Sequence, residues 1–404
     1  FWVQHPEMSR YAEEMRGFYL NRNDQFAWFD TSGLTEAAHG FYHLQSNYLA
    51  SHADSSLFSP AFEKAYQKHL QEPAWAVAEK DLLETELLFT AQFYAYAARV
   101  FQGADLDLND LGWFIPRKKI NLTALLDSLL KNGTGDQVQK TVLSKAYLQL
   151  EKALQDLTKR ANTYPKLPLV LPTQALSLGQ TDSSLMAVKQ YLAFWDKAYR
   201  TDSLPLFDSA LRTTVKRFQT RHGLPATGSI GAQTAKALQV PLSERIQQIL
   251  VNLERMRWTP EQTASEFMVV NIPEYKLHVY DSSKLQFDMN VIVGSEANNT
   301  VIFSGTLKYI VFAPYWNVPS SIVKKEILPA LKKDPNYLSK HNMETTGNNG
   351  GLPVVRQLPG PSNSLGKVKF LFPNDYSIYF HDTPNRNLFA RSSRSLSHGC
   401  IRLG

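Results

Sequence analysis

The sequence predicts an α+β multidomain chain: a mainly helical first half, a small three-helix module, and a β-rich domain carrying a helical insertion. Three observations point there. Apolar residues repeat at helical spacing through the first half, a short Gly/Pro-punctuated helical unit follows near residue 184, and β-branched or aromatic runs begin at Phe267. At 404 residues the chain exceeds one ordinary domain and suggests two or three.

From Phe1 to Pro172 helical stretches alternate with turn signals, with Ala61 to His69 and Leu82 to Phe101 as the clearest packed helices. The longest uncharged apolar stretch, Leu87 to Ala98, is too short to span a bilayer and is bounded by Glu84, Glu86 and Arg99, so it reads as a core helix. His39 and His43 are four apart, but no glutamate follows His39 as a helical zinc-protease motif needs, and they read as ordinary residues. The stretch from Leu167 through Pro172 to Gly179 is proline-punctuated and reads as a connector. These residues make up a mainly helical scaffold, 1–183.

The next unit, 184–240, has a sharper pattern. Leu211, Val215 and Phe218 share one helical face; Gly223 follows His222 where a left-handed cap would end the helix, and Pro225 prevents its continuation. Gly228 to Gly231 makes a turn, after which Ile230, Thr234 and Leu238 repeat at helical spacing. The set Phe218-Gln219, Gly223-Leu224, Gly228-x-Ile230-Gly231 and Thr234 resembles the small peptidoglycan-binding module found beside many wall enzymes. A bare three-helix spacer is the structural alternative, because a helical bundle does not announce a ligand.

Ser243 to Trp258 is amphipathic through Ile246, Ile249, Leu250 and Leu253 and reads as a linker helix within 241–262. Strands follow at Met268 to Ile272, Lys276 to Tyr280, Phe287 to Val293, Leu307 to Ala313 and Val368 to Phe372. Between the last two lies an insertion, about 316–365. It opens with a helix-like Ser320 to Lys333 and runs through Gly347-Asn348-Asn349-Gly350-Gly351, reading as a mobile cap beside a site, or else as a surface excursion.

The chemistry concentrates near the end. Cys400 is the single cysteine, so it has no disulfide partner in its own chain and is either core filler or a nucleophile. It sits in Ser397-His398-Gly399-Cys400-Ile401-Arg402, with Arg391 and Arg394 upstream; nearby cations raise the thiolate population. Glycine before it permits a tight backbone path that frees amide N–H groups for a developing oxyanion. Ser377 to Thr383 alternates as a strand, with Ile378 and Phe380 on one face and Tyr379 and His381 on the other, which offers His381 as a base.

His381-Asp382-Thr383 followed by Ser397 to Arg402 resembles the signature of the L,D-transpeptidases of bacterial cell-wall synthesis. The resemblance is to the large multidomain type, with a peptidoglycan-binding module and a capping insertion. It implies Cys400 as nucleophile, His381 as its general base, His398 and Arg402 as supports of site geometry, and the backbone of Gly399 and Cys400 as oxyanion donors. Many members have glycine at the position of Asp382, so the acceptor that orients His381 is left open, a backbone carbonyl among the choices. Family domains continue past the cysteine motif, which makes the catalytic domain, 263–404, C-terminally incomplete at Gly404.

What the resemblance implies is acyl transfer from tetrapeptide stems with release of D-alanine through a thioester. A diaminopimelate amine is the implied acceptor, carbapenems are implied covalent inhibitors, and the compartment is the periplasm or cell envelope. Water in place of the amine would make an L,D-carboxypeptidase or a wall-protein-releasing amidase at the same site. A non-catalytic peptidoglycan-binding scaffold is the alternative of another class; a papain-like protease fits less well because histidine precedes cysteine. No metal or organic cofactor is implied. The net charge of +6 is modest and its densest cluster is Arg117-Lys118-Lys119, which argues against nucleic acid while suiting an anionic polymer. The chain opens Phe1-Trp2 with no signal-peptide pattern and reads as a mature or trimmed form.

Overall fold

The computed structural model describes the chain apart from residues 53, 72–77, 133–138, 140, 141, 166–168, 170, 173 and 261–263. Residues 167, 168, 170 and 173 of the proline-punctuated connector therefore lie outside the described residues. The chain forms two compact units: one of residues 1–106, 116–222 and 226–261, the other of 107–115, 223–225 and 262–404.

The first unit is helical. Its early helices are α1 (Ala12–Leu20), α2 (Glu36–His52), α3 (Pro60–Gln71), α4 (Glu79–Ala97), α5 (Leu122–Asn132) and α6 (Lys145–Lys159). Helix α4 is central, because residues 88–97 are apolar nearly all round and are buried on nearly every side, as a helix without a solvent face must be. Trp28, Phe41, Phe62, Phe89 and Phe93 interlock there. Glu86, fully buried on α4, has its carboxylate satisfied by the Ala27 and Trp28 amides and by the Tyr19 hydroxyl, at 2.6, 3.0 and 2.9 Å. His39 meets the Tyr66 hydroxyl at 3.1 Å, and His43 is exposed. No helix of the described residues is long and apolar enough to cross a membrane.

Helices α7 (Leu185–Trp195), α8 (Ser209–Arg221) and α9 (Ala232–Leu238) form the small module around Leu211, Val215, Phe218, Ile230 and Leu238. Gly223 takes φ +66°, the left-handed value that ends α8. Gln219, buried, holds the following turn: its side-chain oxygen accepts from Gly228 N at 2.8 Å, and its amide donates to Thr227, Ser229 and Thr234. The end of the predicted connector belongs to this module, since Leu176 bridges to Ile230.

Helix α10 (Leu242–Trp258) departs from the linker reading. Leu253 is in the scaffold core, with Ile246, Ile249 and Leu250 packed against it, and Arg257 donates to the Tyr147 hydroxyl at 2.7 Å. An amphipathic stripe alone does not say whether a helix joins two bodies or completes one.

The second unit is built on an eight-stranded sheet: β1 (Glu266–Asn271), β2 (Lys276–Asp281), β3 (Lys284–Gly294), β4 (Tyr309–Phe312), β5 (Val368–Leu371), β6 (Phe380–His381), β7 (Ser395–Ser397) and β8 (Ile401–Leu403). The order is β1-β2-β3-β8-β6-β5-β4, with β7 also pairing β3. Leu277, Val291, Val293, Phe380 and Ile401 fill the core on one face. Residues 107–115 cluster here rather than with the scaffold, because Trp113-Phe114 pairs in parallel with Ile302-Phe303.

The insertion is a folded subdomain. A helical stretch, 320–333, packs Ile322, Val323 and Ile327 against Val355 of a three-stranded sheet made by Trp316–Asn317, Met343–Asn349 and Leu352–Gln357. The Gly/Asn run is the tip of a hairpin: Gly350 and Gly351 have φ +59° and +82°, the pair of positive values a type I′ turn needs. Asn363, fully buried, ties the return to the sheet by donating to the carbonyls of Pro314 and Leu358, at 3.1 and 2.9 Å.

Candidate active site

The nucleophile candidate and the base candidate meet because β6 and β8 lie side by side. They run parallel, with Phe380 opposite Ile401 and His381 opposite Arg402. Since side chains alternate along a strand, Ile378, Phe380 and Ile401 drop into the apolar core. Tyr379, His381, Cys400 and Arg402 take the opposite face. Strand β5 extends the row, with Lys369 directly across from His381. Lys369, His381 and Arg402 thus stand abreast on three neighbouring strands, one step from Cys400.

His381 is 5% exposed and its Nδ1 lies 2.6 Å from the carbonyl oxygen of Asp382. A carbonyl only accepts, so Nδ1 carries the proton and Nε2 is left as the basic nitrogen. The orienting acceptor is therefore backbone; the Asp382 carboxylate is spent on the Lys367 amide at 2.8 Å and on Arg386 at 2.7 Å. Burial, reinforced by the charges of Arg402 and Lys369, lowers the His381 pKa to about 4 against the Asp382 carbonyl, so the ring is neutral at neutral pH.

Cys400 is half-buried and its sulfur donates to the Ser377 carbonyl at 3.5 Å. Burial pushes the thiol up; hydrogen bonds from the Tyr379 amide and hydroxyl, then the charges of Lys369 and Arg402, act against that rise. The resting pair is thus thiol and neutral imidazole. Tyr379, its ring centroid 5.7 Å from that of His381, is held up by burial and hydrogen-bonds Trp316 of the insertion.

The loop before β8 is wired by two hydroxyls. Ser397 donates to the Cys400 carbonyl at 2.6 Å and accepts from the Gly399 amide at 3.1 Å. Thr300 donates to the Gly399 carbonyl at 2.7 Å. Gly399 has φ +113°, a conformation that favours glycine, which accounts for the residue type. The Gly399 amide is therefore committed to Ser397, and among the described residues the Cys400 amide has no acceptor.

His398 meets the insertion, its Nε2 3.2 Å from Glu326. Arg394 is spent on the carbonyls of Val291 and Tyr275, at 3.1 and 3.0 Å, and Arg391 is exposed, so neither upstream arginine supplies the charge at the sulfur. Lys369 and Arg402 supply it. Sequence reasoning missed Lys369, Ser397 and Thr300 as site residues. Alternation put Lys369 on the polar face of its strand, but nothing in the spacing says which strand lies beside it.

The chain matches three family models: L,D-transpeptidase catalytic domain at residues 265–404, scaffold domain at 13–154, and "Putative peptidoglycan binding domain" at 181–238. It is 38% identical over 173 residues to a Haemophilus influenzae protein named "Putative L,D-transpeptidase". That match covers 39% of this chain and 35% of the relative, so it spans about a third of that protein's length. Solved L,D-transpeptidases from Stackebrandtia nassauensis and Xylanimonas cellulosilytica are 17% and 15% identical, each covering 58% of this chain, and 87% and 89% of their own. Their TM-scores of 0.24 and 0.17 carry no argument about the fold. Residues 265–404, which bring the motif residues together on one sheet face, thus match the L,D-transpeptidase catalytic domain, and the chain carries matches to a scaffold domain and a peptidoglycan-binding domain beside it.

Proposed function

We propose that the protein is a cysteine-dependent L,D-transpeptidase that cross-links peptidoglycan stems. The observation that carries this is the neutral His381, fixed through Nδ1 on the Asp382 carbonyl, on the same face as Cys400. On donor binding the thiol turns from the Ser377 carbonyl and gives its proton to His381 Nε2 as the sulfur attacks the carbonyl between the third stem residue and its terminal D-alanine. The Cys400 amide meets the oxyanion. The amine of the departing D-alanine takes the proton back from His381, and a thioester remains. An amine from a neighbouring stem, deprotonated by the same imidazole, resolves the thioester and frees the thiol.

His398 and Arg402 act on geometry and charge rather than as proton carriers, and carbapenems acylate Cys400 by the same route. A peptidoglycan substrate implies the cell envelope as the compartment, with the module at 184–240 binding the wall. The test is mass spectrometry of tetrapeptide muropeptides incubated with the protein and with Cys400→Ala. Cross-linked dimer with loss of D-alanine, absent in the variant, is the expected result. Tripeptide without dimer would mean an L,D-carboxypeptidase, and no Cys400-dependent product would mean a wall-binding scaffold.

A further inference from the structure

Two cations on the site face have no anionic partner among the described residues. Lys369 is half-buried, its ammonium 3.9 Å from the centre of the Tyr379 ring, and no carboxylate among the described residues lies within ion-pair distance of it. Arg402, directly across His381 from it, has a buried Nε with no acceptor among the described residues. Asp382, the acid adjoining His381 in the chain, has both carboxylate oxygens engaged elsewhere.

Buried or half-buried charges cost free energy unless paired, so a site that keeps two of them unpaired beside its nucleophile is built for an anion that arrives with the substrate. The row geometry says where that anion sits. Lys369 and Arg402 flank His381 on adjacent strands, at a strand spacing of about 4.8 Å, so their backbones stand roughly 10 Å apart. Two side chains of this length are long enough to bridge that span to a single carboxylate. Burial draws the pKa of both cations down, and the Cys400 thiolate draws both up.

We propose that Lys369, with Arg402, binds the free carboxylate of the donor stem's terminal D-alanine and so makes the site selective for stems that end in that residue. The proposal rests on the L,D-transpeptidase reading. Its chemistry fits the scissile bond: the leaving amino acid carries its carboxylate two bonds from the nitrogen that departs, so an anchor for that carboxylate belongs beside the base and nucleophile. Other carboxylates of the stem lie farther along the peptide. Lysine contributes a compact charge and arginine a planar fork, and together they hold a carboxylate that a carboxamide cannot imitate.

The test is calorimetric binding of a tetrapeptide stem, as the free acid and as its C-terminal carboxamide, to Cys400→Ala protein. The acid is expected to bind about tenfold more tightly than the amide, the scale of one charge-assisted contact. Adding Lys369→Met should abolish the preference, and Lys369→Arg should keep most of it, which separates lost charge from lost folding. Equal binding of acid and amide to Cys400→Ala would overturn the proposal, as would an unchanged preference in the Lys369→Met background. Binding needs no turnover: an acid preference that depends on Lys369, in a protein whose wild type releases no D-alanine, would refute the transpeptidase reading and leave the carboxylate site standing.

Discussion

The pH profile of Cys400 acylation reports directly on the buried His381. With its pKa lowered to about 4 from 6.5, the imidazole is about 97% neutral at pH 5.5, whereas an ordinary histidine would be about 9% neutral, a roughly tenfold difference. The Cys400 thiol, pushed by burial above the ordinary cysteine range, stays protonated at either pH, so its own ionisation does not enter. The assay is the second-order rate of acylation by a carbapenem, followed by loss of β-lactam absorbance and confirmed by intact mass. Between pH 7.5 and pH 5.5 the rate should fall by only about 10% or less. A tenfold fall with a midpoint near 6.5 would refute a buried, neutral base. Alkylation by iodoacetamide needs the thiolate and should instead climb only at alkaline pH; rapid alkylation at pH 6 would mean a preformed thiolate–imidazolium pair.

The same shift predicts a stability effect of definite sign. The folded pKa lies below the unfolded one, so the unfolded chain binds the extra proton. The contribution is fully present above about pH 6.5 and is lost as pH falls toward 4. For a histidine this deeply buried the loss between pH 7 and pH 4.5 is roughly 2.5 kcal/mol. Denaturant titrations should show that loss in the wild type and lack it in His381→Gln.

Three further predictions follow from individual contacts. Ser397→Ala strands the Gly399 amide and the Cys400 carbonyl, both in the buried loop, and should cost about 1–3 kcal/mol and slow acylation, read by thermal melting and carbapenem kinetics. Glu326→Gln removes the partner of His398. The pair is half exposed and worth less than about 1 kcal/mol, so the melting temperature should hold while amide exchange in 320–333 accelerates; unchanged exchange would mean the pair does not fasten the insertion. Gln219→Ala in the small module leaves the Gly228 amide without its acceptor and should cost about 1–3 kcal/mol, seen as earlier proteolysis of the 223–231 turn.

Much of this architecture was legible because it is written in local periodicity. The switch from helical spacing to strand runs at Phe267, the left-handed Gly223 and the alternation of Ile378 and Phe380 with Tyr379 and His381 are all readable from a window of a few residues. Cys400 stood out because it is alone. The hidden features are those set by which elements lie next to one another. Lys369 faces His381 only because β5 pairs with β6, and the sheet order sets β5, β6 and β8 in one row. Residues 107–115 join the second unit through a two-residue strand, too short for any pattern to show. The helix at 242–258 has the stripe of a linker and the packing of a scaffold member. The Gly/Asn run reads as loose because composition cannot tell an open loop from a hairpin tip that requires two positive φ values.

For the proposed transpeptidation, with the donor carboxylate held by Lys369 and Arg402, the electrostatics of the site constrain the order of events. Burial keeps both Cys400 and His381 uncharged at rest, while Lys369 and Arg402 keep a positive field over them. That field would favour a free thiolate, yet an incoming carboxylate that pairs with the two cations cancels part of it just as the donor arrives. A thiolate formed in advance would then lose its support, so proton transfer to His381 and attack of sulfur on the carbonyl must proceed together, with the oxyanion taking over the negative charge as it leaves the sulfur. The imidazolium is short-lived for the same reason: it is formed in a buried site between two cations, and handing its proton to the departing amine restores the neutral state that burial favours. In the proposed reaction, release of D-alanine would remove the carboxylate and return the positive field to the thioester, where it would polarise the carbonyl for the acceptor.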